Sequence, residues 1–247
     1  GGNTGHVTID NTTTALAVQG TVTGDLALTS GAAITDSGTL TVAGTTTVTT
    51  DLDNQTITLD TLASSGALTV TTNGSTGNVV IDNGTTALDF AASTIDGSLS
   101  ARSGHASGIT DSGNLVVNGD VTLTTDANNG VINLGTLQQS TGDLVVTTHG
   151  SGDATVANNA AIDFGTSNVG GNLVVTAGAG DITQNGGALT VAGTSSFSVT
   201  NTQNISLGGA NAFTGAVTLL AGSGSDAFGN ITFRDDSAVK LDANADA

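Results

Sequence analysis

No proline, cysteine, methionine, tryptophan or tyrosine occurs in this chain, and glutamate is missing too. Each gap excludes something. Without cysteine there are no disulfides and no thiol chemistry, which leaves the compartment open because large bacterial surface proteins do without disulfides. Without Glu and Met, and with only Arg102, Arg234 and Lys240 as bases, helices keep only Ala and Leu among their strong formers. Three bases against 21 acids, all Asp, give a net charge of −18. Such a chain cannot neutralise a run of phosphates, so no nucleic-acid partner is expected. Docking on anionic membranes is equally disfavoured. No apolar run approaches the roughly 20 residues of a membrane span, so no membrane insertion is expected.

What remains is a strand and turn alphabet. Thr supplies 45 of the 247 residues and Gly 36. Thr and Val suit pleated strands, while Gly, Asn, Asp and Ser suit turns. Short alternating runs recur throughout, among them "TLTV" (39–42), "TITL" (56–59), "VINL" (131–134), "AIDF" (161–164) and "NITF" (230–233). Period-2 alternation puts Leu40 and Val42, or Ile57 and Leu59, on one face. The chain is therefore read as all-β. It begins without Met or a signal peptide, as a processed product or an excised segment of something longer would.

One phrase is written three times: "ITDSGTLTVAGTTTVTT" (34–50), "ITDSGNLVVNGDVTLTT" (109–125) and "ITQNGGALTVAGTSSFSVT" (182–200). Ile34, Ile109 and Ile182 lie 75 and 73 residues apart, and Ile57, Ile132 and Ile205 reproduce both intervals. "GDLALTSG" (24–31), "GSLSARSG" (97–104) and "GNLVVTAG" (171–178) open successive blocks, and "HVTIDNTTTALAV" reads as the close of a further one. Residues 1–247 thus form one continuous array of about three repeats of 73–75 residues plus an N-terminal partial repeat, with no linker.

Independent β-sandwich modules would need separate domains and large aromatic plugs, and only six Phe are present. A parallel β-solenoid fits instead, each strand pairing with its equivalent one coil above. At two or three strands per coil, the chain makes about ten to thirteen coils. A lone coil buries too little apolar surface to offset its chain entropy, so stability must come from stacking. The repeated phrase then supplies inward Leu, Ile and Val at matching heights.

The phrases "ITDSGTLTVAGTTTVTT", "SGALTVTT" and "GALTVAGTSSFSVT" resemble the repeat regions of filamentous-haemagglutinin-type bacterial exoproteins, secreted adhesins usually exported by two-partner secretion. The resemblance implies a right-handed parallel β-helix, export to the bacterial surface or exterior, and a role as stalk, fibre or adhesin. The Pro-containing secretion motif of such exoproteins has no counterpart in these residues, which places them in the shaft.

Chemistry-bearing residues are sparse. Asp226, in "AGSGSDAFG" (221–229), approaches the calcium-binding nonapeptide G-G-x-G-x-D-x-U-x, with Ala221 replacing the first Gly and no second copy following. It is the metal candidate, calcium the one cofactor to consider, and an ordinary turn the competing reading. Asp36 and Asp111 share "TDSG", where Asp bonds its own downstream backbone in a turn; Gln184 in the third copy argues against a metal. Asp51/Asp53 and Asp235/Asp236 are acid pairs read as solvated surface. His6, His105 and His149 lack metal-ligand spacing and read as exposed loop residues. Arg102 is the one base a lyase could use, and the net charge would repel an anionic polysaccharide. Outward Thr runs suggest ice or carbohydrate binding but serve equally as ordinary strand residues. The expectation is a non-catalytic structural shaft of a surface adhesin or extracellular filament. Its partners would be copies of itself, by end-to-end stacking, and cell-surface glycans as the alternative. A β-helical polysaccharide-degrading enzyme is the third reading.

Overall fold

The computed structural model describes residues 5–221, 228–238 and 240–244. Among them there are 29 strands and no helix, and hence no helix long and apolar enough to cross a membrane. The strands form two sheets, of 14 and 15 strands, in which every pairing is parallel. The chain alternates between them, so that one leg in sheet 1 and one in sheet 2 complete a coil. Sheet 1 runs from Val7–Asn11 to Leu241–Asn244 in twelve rungs, and sheet 2 from Leu16–Val22 to Ile231–Phe233 in eleven. This is an all-β parallel β-solenoid, within the ten to thirteen coils expected.

Register is set by alternation. Val7 pairs with Leu26, Leu26 with Thr46 and Thr46 with Leu68, a spacing of 19 to 22 residues per coil. Inward residues such as Leu28, Val48 and Val70 are fully covered, while the alternate Ala27, Thr47 and Thr69 face outward. A shift by one residue would turn every inward aliphatic to solvent, which is why the pairing holds in register. Strands reading as apolar on both faces do not have both faces buried: Val80 and Val174 point outward and are about two-fifths exposed (39% and 41%).

The three copies of the phrase lie several coils apart and do not pair with one another. Ile34 stacks on Ile57, and Ile57 on Val79. Between Ile34 and Ile109 the chain makes seven half-coils, and seven more to Ile182. An odd number of half-coils puts Ile34 and Ile182 in sheet 2 and Ile109 in sheet 1. Each repeat is therefore rotated by half a turn from its neighbour and raised three and a half coils, about 17 Å at the usual rise of ~4.8 Å per strand. The long leg, which splits into two short strands, changes sides with it. Ile57–Leu59 and Leu62–Ser64 lie in sheet 2 and their counterpart Ile132–Gln139 in sheet 1, while a second such leg, Leu88–Phe90 and Ser93–Ile95, lies in sheet 1 and its counterpart, Ile162–Phe164 and Ser167–Val169, in sheet 2.

Corners stack as closely as strands. Gly152, Gly171, Gly193 and Gly215 form a column in which each N–H donates to the glycine carbonyl beneath, at 2.9, 2.9 and 3.1 Å. Gly5, Gly24, Gly44 and Gly66 form another, at 3.1, 3.0 and 3.0 Å. Where a leg bends away from its neighbour, an inward asparagine replaces the missing backbone partner. Asn158 accepts from Gln139 N (2.7 Å) and donates to Gln139 O (3.0 Å) and Ala161 O (2.7 Å). Asn83, in the preceding repeat, treats Ser64 the same way. Asn158→Ala strands a buried N–H and C=O on Gln139, each worth roughly 1–3 kcal/mol when unpaired. Chemical denaturation should show a loss of about 2–5 kcal/mol. Asn11→Ala, which removes bonds to Thr14 O and Ala15 O and one from Thr14 Oγ1, all in its own exposed turn, should cost clearly less.

Candidate functional site

The outer surface is acidic, and many of its carboxylates serve the stacking. Asp36 accepts Asp60 N (3.2 Å) and Thr61 N (2.8 Å) from the next coil. Asp111 does the same for Gly135 N and Thr136 N, both at 2.8 Å. Gln184 takes one backbone N–H, Gly209 N at 2.9 Å, through Oε1, and exchanges two side-chain bonds with Asn211, at 2.7 and 3.2 Å. These are clamps between coils 24 or 25 residues apart along the chain; the local turn bond expected for "TDSG" is not formed, because Asp36 and Asp111 lie in strands and turn their carboxylates to the next coil. Asp25 clamps Thr45 N (2.8 Å), Asp120 clamps Asp143 N (2.9 Å) and Asp153 clamps Asn172 N (2.7 Å).

Two of these carboxylates titrate in opposite directions. The Thr45 backbone N–H, then its hydroxyl, with attraction to His6 adding, holds Asp25 below the ordinary carboxylate range. Asp60 is raised, first by a hydrogen bond shared with Asp36 and then by repulsion from it. The depressed Asp25 contributes stability above its unfolded pKa, which is lost as pH falls through its folded one. The raised Asp60 contributes stability only at low pH, lost as pH rises through its folded value. Asp60→Asn should therefore stabilise the fold slightly at neutral pH, by less than about 1 kcal/mol given its exposure. Urea midpoints should show that gain vanishing in acid, whereas Asp25→Asn should flatten the acid limb.

The other singled-out residues are dispersed. Arg102 lies between Asp126, with which it forms a close ion pair, and Asp82 at 3.7 Å, on three successive coils. Its guanidinium is fully charged, its pKa raised by Asp126. Asp235 accepts Phe213 N, whereas Asp236 pairs with Arg234 at 2.8 and 2.9 Å, so they do not act as a dyad. Asp51 and Asp53 are exposed. His105 is exposed at a bend, as expected, whereas His149 ends the strand Asp143–His149 with its Nδ1 2.6 Å from Thr125 O, and His6, exposed, lies 3.0 Å from the Asp25 carboxylate. Among the described residues no three His, Cys, Asp or Glu side chains gather to hold a metal. Asp226, the calcium candidate, lies outside the described residues.

A polar depression sits beside the split leg at Ile162–Phe164 and Ser167–Val169 in sheet 2. A groove of about 340 Å³ is lined by Gln139–Asp143, Ala161–Asp163, Thr183 and Asn185. Asp143 and Asp163 are register partners on successive coils. Thr183 donates to Asp163 at 2.9 Å, and Asn185 Nδ2 reaches Asp143 at 3.4 Å. Gln139, buried, ties the floor to Gly119 O, Thr141 O and Asp143 O. Carboxylates, a hydroxyl and an amide can hydrogen-bond a polyol here, and no aromatic ring lines the groove for stacking. Nothing in the sequence marks this groove, because its walls come from three coils. A second cavity of about 490 Å³, lined by Val7, Ile9, Leu16, Val18 and Leu40 among others, opens beside the first described coil, where Val7, Ile9 and Leu16 are only partly buried.

Comparison with known proteins returns one family, described as repeats of unknown function (DUF5649), which matches residues 4–62, 76–148 and 151–220. No curated protein and no solved structure matches the chain. The second and third matched segments each span seven half-coils, the same unit that turns the solenoid by half a revolution. Three matches cover most of the sequence, and the chain belongs to the DUF5649 family of repeats of unknown function.

Proposed function

We propose that this chain is a non-catalytic shaft segment of a secreted bacterial surface adhesin or extracellular filament. One observation carries the reading: sheet 1 runs without a break from Val7 to Asn244, each rung hydrogen-bonded in parallel to the next. A rod so built transmits length and stiffness, and its acidic, Thr-rich exterior keeps neighbours apart through like charge. The partly buried Val7, Ile9 and Leu16, beside strand edges, offer a surface on which a further coil, including one from a second copy, can stack. The resemblance of the repeated phrases to filamentous-haemagglutinin-type repeats supports the extracellular placement. Immunogold electron microscopy of the producing cells tests it. Label along thread-like surface projections is expected, and label confined to the cell interior would overturn the reading.

A second reading, a glycan-binding module, is favoured by the groove at Asp143 and Asp163. A glycan array should then give a signal that Asp163→Ala abolishes while the fold, judged by circular dichroism, is kept. A blank array leaves the shaft alone.

A further inference from the structure

Five Asn-Gly pairs occur in the sequence, at residues 73–74, 83–84, 118–119, 129–130 and 185–186. Asn-Gly is the dipeptide most open to intramolecular deamidation, because a glycine amide nitrogen is not shielded by a following side chain. The reaction needs three freedoms: an Asn carboxamide not held by hydrogen bonds, a Gly N–H not engaged elsewhere, and room for the ring to close. The solenoid withholds at least one of them from four of the pairs.

Asn83 is buried and bound to Ser64 through both side-chain atoms, and Gly84 N donates to Asp82. Asn129 Oδ1 accepts Ser151 N and Oγ at 2.8 and 2.7 Å, and Gly130 N donates to Ala127 O. Asn73 Nδ2 donates to Thr50 O at 2.8 Å, and Gly74 is pressed against Asn54 of the coil beneath. Asn118 donates to Asp96 at 2.9 Å and accepts from Ser140 Oγ at 3.0 Å, while Gly119 is pressed against Gly97.

Only Asn185–Gly186 offers all three freedoms together. Both residues are exposed. The single side-chain bond of Asn185, to Asp143, is 3.4 Å long, at the limit where such bonds hold little. Gly186 N–H meets no acceptor among the described residues. Gly186 has φ +73° and nothing within 4 Å of its Cβ direction.

We propose that Asn185 is a site of spontaneous covalent modification, converting to aspartate and isoaspartate in the folded protein while the other four Asn-Gly pairs are protected. Gly186 N loses its proton to solvent base and attacks Cγ of Asn185. The Cγ–Nδ2 bond breaks, ammonia departs, and a five-membered succinimide closes. Water then opens either ring carbonyl, so the net change is amide plus water to carboxylic acid plus ammonia. The product replaces a donor to Asp143 with a third carboxylate in the groove beside Asp143 and Asp163. The isoaspartyl form also moves one methylene from side chain to backbone. This chemistry depends on neither functional reading above.

Peptide mapping by mass spectrometry tests it, on folded protein incubated for a long period at neutral pH and physiological temperature, with a denatured sample in parallel. Pepsin is the suitable protease, since three basic residues give trypsin too few cuts. In the folded sample the expected result is an amide-to-acid mass gain and an isoaspartate signal at Asn185 at least tenfold ahead of the other four sites. In the denatured sample all five should convert at similar rates. Asn185→Gln should remove the folded-state signal. Conversion at Asn73 or Asn118 as fast as at Asn185, or an inert Asn185 in folded protein, would overturn the proposal.

Discussion

Gly193→Val will collapse the stability of the coils around it. A Cβ at residue 193 would stand 2.6 Å from Gly171 O, 2.7 Å from Gly171 C and 2.6 Å from Asn172 Oδ1. Two of these atoms are backbone and the third is clamped by Thr194 N at 2.8 Å, so none can swing away. Relief requires lifting one coil off the next, which breaks the 2.9 Å bond from Gly193 N to Gly171 O and the ladders on both sides. Losses above about 4 kcal/mol come from mechanisms of this kind. Because stacked repeats unfold by neighbourhood rather than all at once, hydrogen exchange should show protection lost first over residues 170–220. Gly135→Ala is the matched control, its nearest neighbour being Asp111 Oδ1 at 3.9 Å, and should stay within about 0.5 kcal/mol of the parent. Equal effects for the two variants would mean that the glycine columns are not close-packed.

Phe197→Ala should be the most damaging single truncation of the interior. Phe197 is fully buried and reaches from sheet 1 toward rings contributed by sheet 2. Its centroid lies 6.3 Å from Phe164 and 5.9 Å from Phe213, both edge-on, and Phe213 in turn stacks on Phe233 at 5.4 Å. Removing a buried Phe costs about 3–5 kcal/mol, and each lost edge-to-face pair adds roughly 0.5–1.5 kcal/mol. Phe90 is equally buried but has no ring partner among the described residues. Urea unfolding should therefore place Phe197→Ala below Phe90→Ala by at least about 1 kcal/mol. Identical losses would show that the aromatic ladder adds nothing beyond burial.

Much of this architecture was written locally and could be read so. The alternation in "TLTV", "VINL" or "AIDF" assigns inward and outward faces because a strand's side-chain period is two. The block openings at Gly24, Gly97 and Gly171 mark corners that the structure does use. What the sequence could not reveal was the side of the rod each phrase occupies. Alternation distinguishes in from out but not sheet 1 from sheet 2, and whether 34–42 is one leg or two depends on the coil above. The half-turn between repeats is a consequence of that parity.

Non-local partners were hidden for the same reason. Asp36 and Asp111 read as turn residues, yet their acceptor atoms serve N–H groups 24 and 25 residues further on. Asn83 and Asn158 were overlooked, although a signal was present. Counting by two from Val79 and Ile81, or from Ala154 and Val156, brings each Asn to an inward position, where a polar side chain must find buried partners. The groove at Asp143 and Asp163 carried no such mark.

Disulfide trapping tests the parallel, in-register stacking of coils most directly, and the chain has no native cysteine to confuse it. Thr47 and Thr69 face outward as register partners in sheet 1, and Thr35 and Thr58 do so in sheet 2. Paired parallel strands lie about 4.8 Å apart, inside the Cα separation of roughly 4.4–6.8 Å that a disulfide spans. Under mild oxidation the Cys pairs Thr47→Cys/Thr69→Cys and Thr35→Cys/Thr58→Cys should close within one chain, while Thr47→Cys/Thr71→Cys should stay open. Closure of the 47/71 pair in preference to 47/69, or failure of both register pairs in folded protein, would contradict the stacked solenoid.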